Sequence, residues 1–341
     1  MNRIRTLAAA FGVVALAASV GNPTAAKAAD PAHTLSIRLD WLPSGYHAPF
    51  WLAIDKGWFK DAGLDVTIAD GNGSVTTVQL VGSGQYDLGH AALATMAVAR
   101  SKGIPITSVA GFLRKGDTAL IVPVDSPIQG PKDLKGKKIV YTAGSLETPF
   151  IEPFLAAGKL SPADVSLLNV DAANKIAQYF GADADGLISA AETVALLGKK
   201  PSRPILFADY GLNLPSFGLV ANKDVLKTKG PAIKEFASIV SGAWGYLVKG
   251  HEDEGVAAVI HNHESNRLDA GIVRANLNIA LQFLYSASTK DSPIGIQTES
   301  DWKASIAIME KEKVIPTGSK PADYFTNAYL DQKTIAAIAA K

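Results

Sequence analysis

The chain has 341 residues, which is enough for about two domains, and its 33 basic side chains nearly balance its 32 acidic ones. It contains no run of Lys and Arg, so a nucleic-acid-binding surface is not expected. It also contains no cysteine, which excludes thiol nucleophiles, cysteine-ligated metals and disulfides. Its stability must therefore come from a large hydrophobic core.

The first 28 residues are typical of a secretory signal peptide. Arg3 and Arg5 give a basic start, residues 7–19 form a short apolar core, and residues 26–28 offer a small-residue cleavage site. The apolar run is too short to span a bilayer. Without this segment the chain has 30 basic and 32 acidic side chains, a net charge near −2. Because no cysteine is available for a lipid anchor, we expect a protein free in the periplasm rather than a lipoprotein.

A βαβ unit opens the remainder of the chain. Apolar alternation over residues 35–39 predicts a strand, and the polar–aromatic loop 40–47 follows it. Pro49 and Gly57 then mark the start and the stop of a short helix, and a second strand is predicted over residues 64–68. In open α/β sheets ligands bind at the carboxyl ends of such strands, although aromatic residues there can also be ordinary core residues.

A glycine-rich turn follows the second strand. Ser74 is expected to cap a helix over residues 75–81, where free backbone N–H groups can bind polar groups of a ligand. A tight turn without any binding role is the alternative. The turn lacks the lysine and the spacing of a P-loop, so nucleotide binding is not predicted.

The βα alternation then continues, restarts after a Pro- and Gly-rich linker at residues 126–136, and ends in helices. Strands are predicted near His90 and over residues 106–111, 117–124, 138–141, 165–170, 186–188, 205–207 and 217–220. Helices are predicted over residues 91–102, 149–157, 174–180, 190–197, 231–250, 252–261, 268–284 and 299–313.

Five short motifs, taken in order, resemble the NMT1/THI5-like substrate-binding proteins of ABC importers, relatives of the taurine, sulfonate and nitrate binding proteins. They are D-W-x-P with His47, A-x-x-x-G-W-F-x-x-A-G-L-D-V at residues 53–66, G-S-G-Q-Y-D-L-G at 82–89, D-L-K-G-K-K-I at 133–139 and Y-F-T-N at 324–327. The resemblance covers nearly all of the chain after the leader. It implies a type II-like periplasmic-binding-protein fold, in which two doubly wound α/β domains are joined by two crossing strands around a ligand cleft.

On that pattern, domain one comprises residues 34–123 and 221–341, and domain two comprises residues 124–220. The resemblance implies that loops at strand ends line the cleft. The candidate ligand-binding residues are Trp41, Tyr46, His47, Asn72, Ser74, His90, Arg114, Ser145, Glu147, Ser189, Glu192, Asp209 and Tyr210.

Two segments in domain two bear on the ligand. Either Thr148 or Ser145 caps the helix that starts at Pro149, and in the second case Glu147 only complements the helix dipole. Pyrimidine-binding members of the family use an aromatic-rich strand end followed by a glutamate. Here Glu192 occupies that position, but aliphatic residues replace the aromatics, and an exposed helix glutamate is the alternative.

The candidate lining contains more carboxylates than cations, which suits a flat or amine-bearing ligand such as a thiamine-pyrimidine precursor. A sulfonate or another small organic anion is the alternative. An enzyme is the third possibility, since fungal members make the thiamine pyrimidine from their own histidine and pyridoxal phosphate. Those members are cysteine-rich near their site, whereas this chain has no cysteine and no catalytic triad spacing.

We therefore expect a monomeric binding protein that delivers its ligand to a permease, without catalytic residues or a cofactor. His251, His261 and His263 are interpreted as a solvated helix end rather than a metal site, because residues at i and i+2 face apart on a helix.

Overall fold

Two five-stranded sheets organise the protein. The computed structural model describes residues 33–181 and 183–341, so the predicted signal peptide lies outside the described residues. The strands are β1 (Thr34–Arg38), β2 (Asp65–Ala69), β3 (Leu88–Ala92), β4 (Ile106–Gly111), β5 (Thr118–Pro123), β6 (Lys138–Tyr141), β7 (Ser166–Asn169), β8 (Gly186–Ala190), β9 (Ser202–Leu206) and β10 (Phe217–Asn222).

The first sheet has the strand order β2-β1-β3-β10-β4, and the second has the order β7-β6-β8-β5-β9. We call the half of the protein built on the first sheet lobe one and the other half lobe two. Strands β1, β2 and β3 are parallel, whereas β10 runs antiparallel to β3 and β4. In lobe two, β5 runs antiparallel to β8 and β9. Each sheet therefore receives one antiparallel strand, and this mixed architecture is the predicted α/β class.

Helices cover both sheets. They are α1 (Ala48–Asp55), α2 (Trp58–Asp61), α3 (Ser74–Gly82), α4 (Leu93–Ser101), α5 (Ile151–Ala157), α6 (Lys175–Gly181), α7 (Lys223–Tyr246), α8 (Glu252–His261), α9 (Ala270–Ala280), α10 (Glu299–Lys311) and α11 (Gln332–Ala339). Strands β3, β4, β8 and β10 are buried along their whole length, which explains their nearly continuous small and apolar sequences. No helix in the described ranges is long and apolar enough to cross a bilayer.

Strand pairing places the chain crossings outside β5 and β10. The domain division at residues 123 and 221 rests on crossings inside these strands, yet β5 pairs only with strands of lobe two and β10 only with strands of lobe one. We therefore propose crossings at residues 112–117 and 207–216. An apolar run reveals a buried strand but not the sheet to which the strand belongs.

Several local predictions differ from the structure. His90 lies inside β3 rather than at its end, because pairing with β10 extends the strand to Ala92. The helix predicted over residues 190–197 is a 3₁₀ turn, Ala191–Leu196, and β8 extends to Ala190. The last helix, α11, was not predicted.

A proline accounts for another difference. The predicted helix over residues 231–250 is the C-terminal part of α7, which kinks at Lys229 two residues before Pro231.

The two lobes touch one another around a cavity. In three hydrogen bonds between the lobes, the acceptor is a backbone carbonyl oxygen of lobe two. The hydrogen bonds are Val75 N to Gly144 O (2.9 Å), Thr95 Oγ1 to Leu146 O (3.2 Å) and Asn276 Nδ2 to Glu192 O (3.1 Å). These contacts define the closed arrangement of the lobes.

Gly73 lies where the lobes approach most closely. Its φ is +146°, and an added Cβ would lie 2.3 Å from the carbonyl oxygen of Gly144 in lobe two. We expect Gly73→Ala to hold the lobes apart, and therefore to increase the radius of gyration in small-angle X-ray scattering.

The matched control is Gly84→Ala, since Gly84 also has a positive φ of +78° but an added methyl would meet no atom within 4 Å. Scattering curves that are the same for both variants would contradict this role of Gly73.

Candidate functional site

A cavity of about 270 Å³ lies between the lobes, and loops at the carboxyl ends of strands from both sheets enclose it. Its polar and aromatic lining residues are Asp40, Trp41, Ser44, Tyr46, Ser74, Ser145, Lys175, Ser189, Glu192, Thr193, Phe217, Asn266 and Asn276. Six of the predicted site residues are therefore brought together here: Trp41, Tyr46, Ser74, Ser145, Ser189 and Glu192.

Aromatic rings form one wall of the cavity. The Tyr46 ring stacks on the Phe217 ring with centroids 5.2 Å apart, and Trp41 lies on the same loop as Tyr46. Phe217 was not predicted as a site residue. Its position at the start of the return strand was the available signal, but only the antiparallel pairing of β10 with β3 brings it beside Tyr46. Such a wall offers stacking contacts to a flat ligand.

Asp40 accepts three hydrogen bonds at the base of this wall and is 2% exposed. The Tyr46 hydroxyl donates to Oδ2 at 3.0 Å, and His47 Nε2 and His90 Nδ1 lie 3.0 and 2.7 Å from Oδ1. Burial alone would raise the pKa of Asp40, but the hydrogen bonds with His47 and His90 outweigh it and hold the pKa below its usual range. Asp40 is therefore ionised. His47 and His90 lie behind the cavity wall rather than in it.

Each of the two histidines has one ring nitrogen that is buried without a hydrogen-bond partner in the described part of the chain, namely His47 Nδ1 and His90 Nε2. Burial also lowers the pKa of His90. Ligand atoms of Asp40, His47 and His90 lie within 4.8 Å of one another, a spacing that could hold a metal ion. The ring nitrogens that face away lack the outer partners that metal-bound histidines usually have.

Glu192 and Asp117 form a pair of buried carboxyl groups. Glu192 is 2% exposed, and its Oε2 atom has no hydrogen-bond partner among the residues described. Burial raises the pKa of Glu192 well above its usual value, and the negative charge of Asp117 raises it further. Burial likewise raises the pKa of Asp117 to about 7, although Ser216 Oγ donates a hydrogen bond of 2.5 Å to its Oδ1. Burial therefore favours the protonated form of Glu192.

Lys175 is a cationic residue of the cavity lining that was not predicted from the sequence. Lys175 Nζ lies 2.7 Å from Glu147 Oε1, and Ser145 Oγ donates a hydrogen bond of 2.5 Å to Glu147 Oε2. The ammonium also lies 5.2 Å from the centre of the Trp41 ring, which belongs to lobe one. Lys175 begins α6 just beyond the end of β7, but 28 residues separate it from Glu147, so no local pattern indicated the pair.

Two expected caps do not form. The turn at Thr148–Phe150 begins without a side-chain cap, because Ser145 Oγ donates its hydrogen bond to Glu147 Oε2 and Glu147 Oε1 accepts one from Lys175 instead. Ser74 is not an N-cap either. It is the first residue of α3 after Gly73, and its Oγ accepts a hydrogen bond from Ala92 N at 3.0 Å.

Four predicted site residues lie away from this cavity. Arg114 donates to the carbonyl oxygens of Leu284, Pro293 and Ile296 at 2.7–3.1 Å, so its guanidinium group stabilises loops of lobe one. The Tyr210 hydroxyl donates to Gln129 O at 2.6 Å. Asp209 is exposed beside the chain crossing, and Asn72 lines a separate surface groove. Position near a strand end did not decide which way these side chains point.

Of the histidines that we interpreted as a solvated helix end, His261 is exposed and pairs with Asp55, whereas His263 differs from this interpretation. His263 is 8% exposed, packs its ring edge-on against Trp51 at 4.6 Å, and places Nε2 3.2 Å from Asp70. His263 is thus a packed core histidine.

The buried Lys175–Glu147 pair yields a stability prediction. We expect Lys175→Met to lower the unfolding free energy by about 3–5 kcal/mol, because it leaves the Glu147 carboxylate buried without its counter-ion. The double variant Lys175→Met with Glu147→Gln should recover much of this loss in urea unfolding. A double variant no more stable than Lys175→Met would show that the pair is not coupled.

Asp117 yields a pH prediction. Its pKa is higher in the folded protein, about 7 against 3.8, so the folded state holds the proton more tightly than the unfolded chain does. This stabilisation is fully present below about pH 4 and is lost as the pH rises through about 7. In urea unfolding from pH 5 to pH 8, the free energy of unfolding of Asp117→Asn relative to that of the wild type should therefore increase as the pH rises.

The control for this titration is Asp209→Asn, since Asp209 is an exposed carboxylate in the other chain crossing. A stability difference between Asp117→Asn and the wild type that does not change with pH would contradict the prediction.

Comparison with known proteins gives both relatives and structural neighbours. The formylaminopyrimidine-binding protein of Halalkalibacterium halodurans is 23% identical over 298 residues, which cover 81% of this chain and 84% of that protein. The 4-amino-5-hydroxymethyl-2-methylpyrimidine phosphate synthase THI11 of Saccharomyces cerevisiae is 38% identical over 108 residues. This match covers 31% of the chain and only 32% of the synthase. The chain thus spans about a third of the length of the fungal relatives that it matches.

Solved structures share the fold. A protein of Bordetella bronchiseptica RB50 superposes with a TM-score of 0.72 at 24% identity, over 87% of this chain and 95% of that chain. The alkanesulfonate-binding protein SsuA of Xanthomonas axonopodis pv. citri, solved with MOPS, gives a TM-score of 0.65 at 17% identity, over 88% and 98% of the two chains. These likenesses confirm the predicted periplasmic-binding-protein fold. The family model described as NMT1/THI5 like matches residues 44–253, more than half of the chain, and the chain therefore belongs to the NMT1/THI5-like family.

Proposed function

We propose that this protein is the periplasmic solute-binding component of an ABC importer, and that it captures a flat, amine-bearing heterocycle such as a precursor of the thiamine pyrimidine. The observation that carries the proposal is the cavity between the lobes, where aromatic rings stand beside the buried Glu192 carboxyl with an unpartnered oxygen. A relative that aligns over most of both chains is named for a formylaminopyrimidine.

The edge of an aminopyrimidine fits Glu192. Such a ring presents a nitrogen acceptor beside an amino donor, and a protonated carboxyl group offers one donor and one acceptor. Burial favours the protonated form of Glu192, in which both hydrogen bonds form without removing a charge from water. Trp41 and Tyr46 would stack on the ring faces.

Closure of the lobes would tell the permease that a ligand is bound. The three hydrogen bonds between the lobes form only when Gly144, Leu146 and Glu192 of lobe two contact their donors in lobe one. A ligand that binds both lobes therefore favours the closed state. A permease that prefers the closed state would then receive only loaded protein. Monomeric action is part of this proposal, as is the absence of a catalytic role.

A sulfonate or another small organic anion is the alternative ligand, and it matches the name of the SsuA neighbour. The charges of the site favour the heterocycle. Arg114 points away from the cavity, and Lys175 already has Glu147 as its counter-ion at 2.7 Å. Ser145, at the turn expected to hold an anion, donates its hydroxyl to the same carboxylate.

A thermal-shift screen of the purified protein tests the proposal. The panel would contain pyrimidines, flavins, aromatic acids, taurine, alkanesulfonates and nitrate, because a ligand that binds only the folded state raises the melting temperature with concentration. We expect a pyrimidine or a related heterocycle to give the shift. A shift with sulfonates or nitrate alone would overturn the proposed ligand class.

Two substitutions test the site residues by calorimetric titration with the heterocycle found in the screen. Trp41→Ala should weaken binding by about 1–3 kcal/mol, as expected for loss of base–aromatic stacking. Glu192→Leu should lower the affinity at least tenfold, because leucine offers neither the donor nor the acceptor that the edge of the ring needs.

Glu152→Leu is the matched control, since Glu152 is an exposed glutamate on α5 of the same lobe. Unchanged affinity in Glu192→Leu would contradict a role of Glu192 in binding the ring.

A further inference from the structure

The cavity between the lobes is larger than a single heterocyclic ring requires. Its volume is about 270 Å³, whereas an engineered cavity of about 150 Å³ in another protein already accommodates benzene. A flat six-membered ring at one end of this cavity therefore leaves room for a second group. The residues that line the two ends differ in chemistry, and this difference indicates what the second group is.

The inner end of the cavity contains the charged groups and the stacked rings. Asp40, Lys175 and Glu192 are the charged lining residues in the part of the chain that the structure describes, and each is at most 2% exposed. The rings of Tyr46 and Phe217 are buried as well. Because the proposed contacts of the heterocycle are with Glu192 and this aromatic wall, its ring belongs at the inner end.

The outer end of the cavity is apolar, and both lobes contribute to it. We call its four large aliphatic residues the apolar rim: Leu42 and Leu268 of lobe one, and Ile176 and Leu196 of lobe two. Leu42 and Leu196 are 38% and 40% exposed, and the other two are partly exposed. Leu42 also lines the surface groove that contains Asn72, so the cavity reaches the protein surface at the rim.

The two hydroxyl groups at the outer end already donate hydrogen bonds within the protein. Ser44 Oγ donates to Asn276 Oδ1 at 3.0 Å, and Thr193 Oγ1 donates to Ser189 Oγ at 3.0 Å. Asn266 is also polar, and its side-chain oxygen accepts a hydrogen bond from the preceding serine at 3.1 Å. A charged substituent would lose its hydration at this end without gaining an oppositely charged partner.

We propose that the ligand has two parts, a flat heterocycle at the inner end and an uncharged apolar extension that packs against the apolar rim. The extension is a small second ring or a short hydrocarbon chain, because such groups gain most from contact with aliphatic side chains. The inference rests on the proposed function and narrows its substrate class to heterocycles with an apolar substituent. Since the rim has residues from both lobes, the extension also favours the closed state.

Three amides of 4-amino-5-aminomethyl-2-methylpyrimidine test the proposal on the wild-type protein. The N-formyl amide has a minimal side chain, the N-(4-methylpentanoyl) amide adds an apolar chain, and the N-succinyl amide adds a chain of the same shape that ends in a carboxylate. Calorimetric titration at pH 7 should give at least tenfold tighter binding of the 4-methylpentanoyl amide than of the formyl amide, since burial of about two methylene groups suffices for this factor. The succinyl amide should bind no more tightly than the formyl amide.

Substitutions in the apolar rim assign the preference to its residues. Leu42→Ser and Leu196→Ser should each lower the ratio of the two affinities at least threefold, and because both side chains are partly exposed these variants should fold. Leu196→Lys should raise the affinity for the succinyl amide at least tenfold over the wild type, because its ammonium group can pair with the carboxylate. Val248→Ser is the matched control, since Val248 is 38% exposed and lies outside the cavity lining.

The outcomes separate this inference from the proposed function. If the formyl amide or another heterocycle binds but the 4-methylpentanoyl amide binds no more tightly than the formyl amide, the apolar extension is overturned and heterocycle binding stands. A preference that persists in both serine variants would overturn the role of the rim. If no heterocycle binds at all, the proposed function fails and the inference fails with it.

Discussion

The hydrogen bonds of the buried Asp40 carboxylate are the interaction on which the site depends. Asp40 lies two residues beyond the end of β1, and its carboxylate bonds to the turn Gly45–His47 and to His90 in β3, 50 residues away. Three parts of lobe one are therefore held against one charged group. Because each donor must point at the same carboxylate, the orientation of the Tyr46 ring and hence of the aromatic wall follows from this network.

Where the lobes meet, single loops and side chains also make several contacts at once. The loop after β6 presents Gly144 and Leu146 as acceptors to lobe one, while Glu147 in the same loop pairs with Lys175. The ion pair thus orders the loop whose carbonyl groups close the cavity. On the opposite side, Asn276 accepts a hydrogen bond from Tyr46 N and donates one to Glu192 O, so one side chain joins the aromatic wall to the carboxyl pair. Ligand recognition and lobe closure therefore use neighbouring atoms.

Electrostatics is the reason why we propose a heterocycle rather than an anion as the ligand of this cavity. Sites for sulfonate, phosphate or carboxylate groups rely on arginine or on several donors without competing acceptors. Here the single lining cation has its own carboxylate, and the carboxyl groups of Asp40 and Glu192 stand in the wall. The structural likeness to sulfonate-binding proteins lies in the backbone, whereas the proposed ligand preference rests on side chains that the shared fold does not dictate.

The amino-acid sequence by itself determined much of this protein. Local apolar patterns located all ten strands to within a few residues, and the ordered motifs identified the family. The rule that ligands bind at the carboxyl ends of strands predicted six of the lining residues, including Trp41, Tyr46 and Glu192. Only the tertiary structure decided which sheet receives β5 and β10, that Arg114 turns away to bind backbone carbonyls, and that Lys175 meets Glu147. The physical reason is that periodicity and capping act over a few residues, whereas strand partnership, burial and charge pairing depend on groups far apart in the chain.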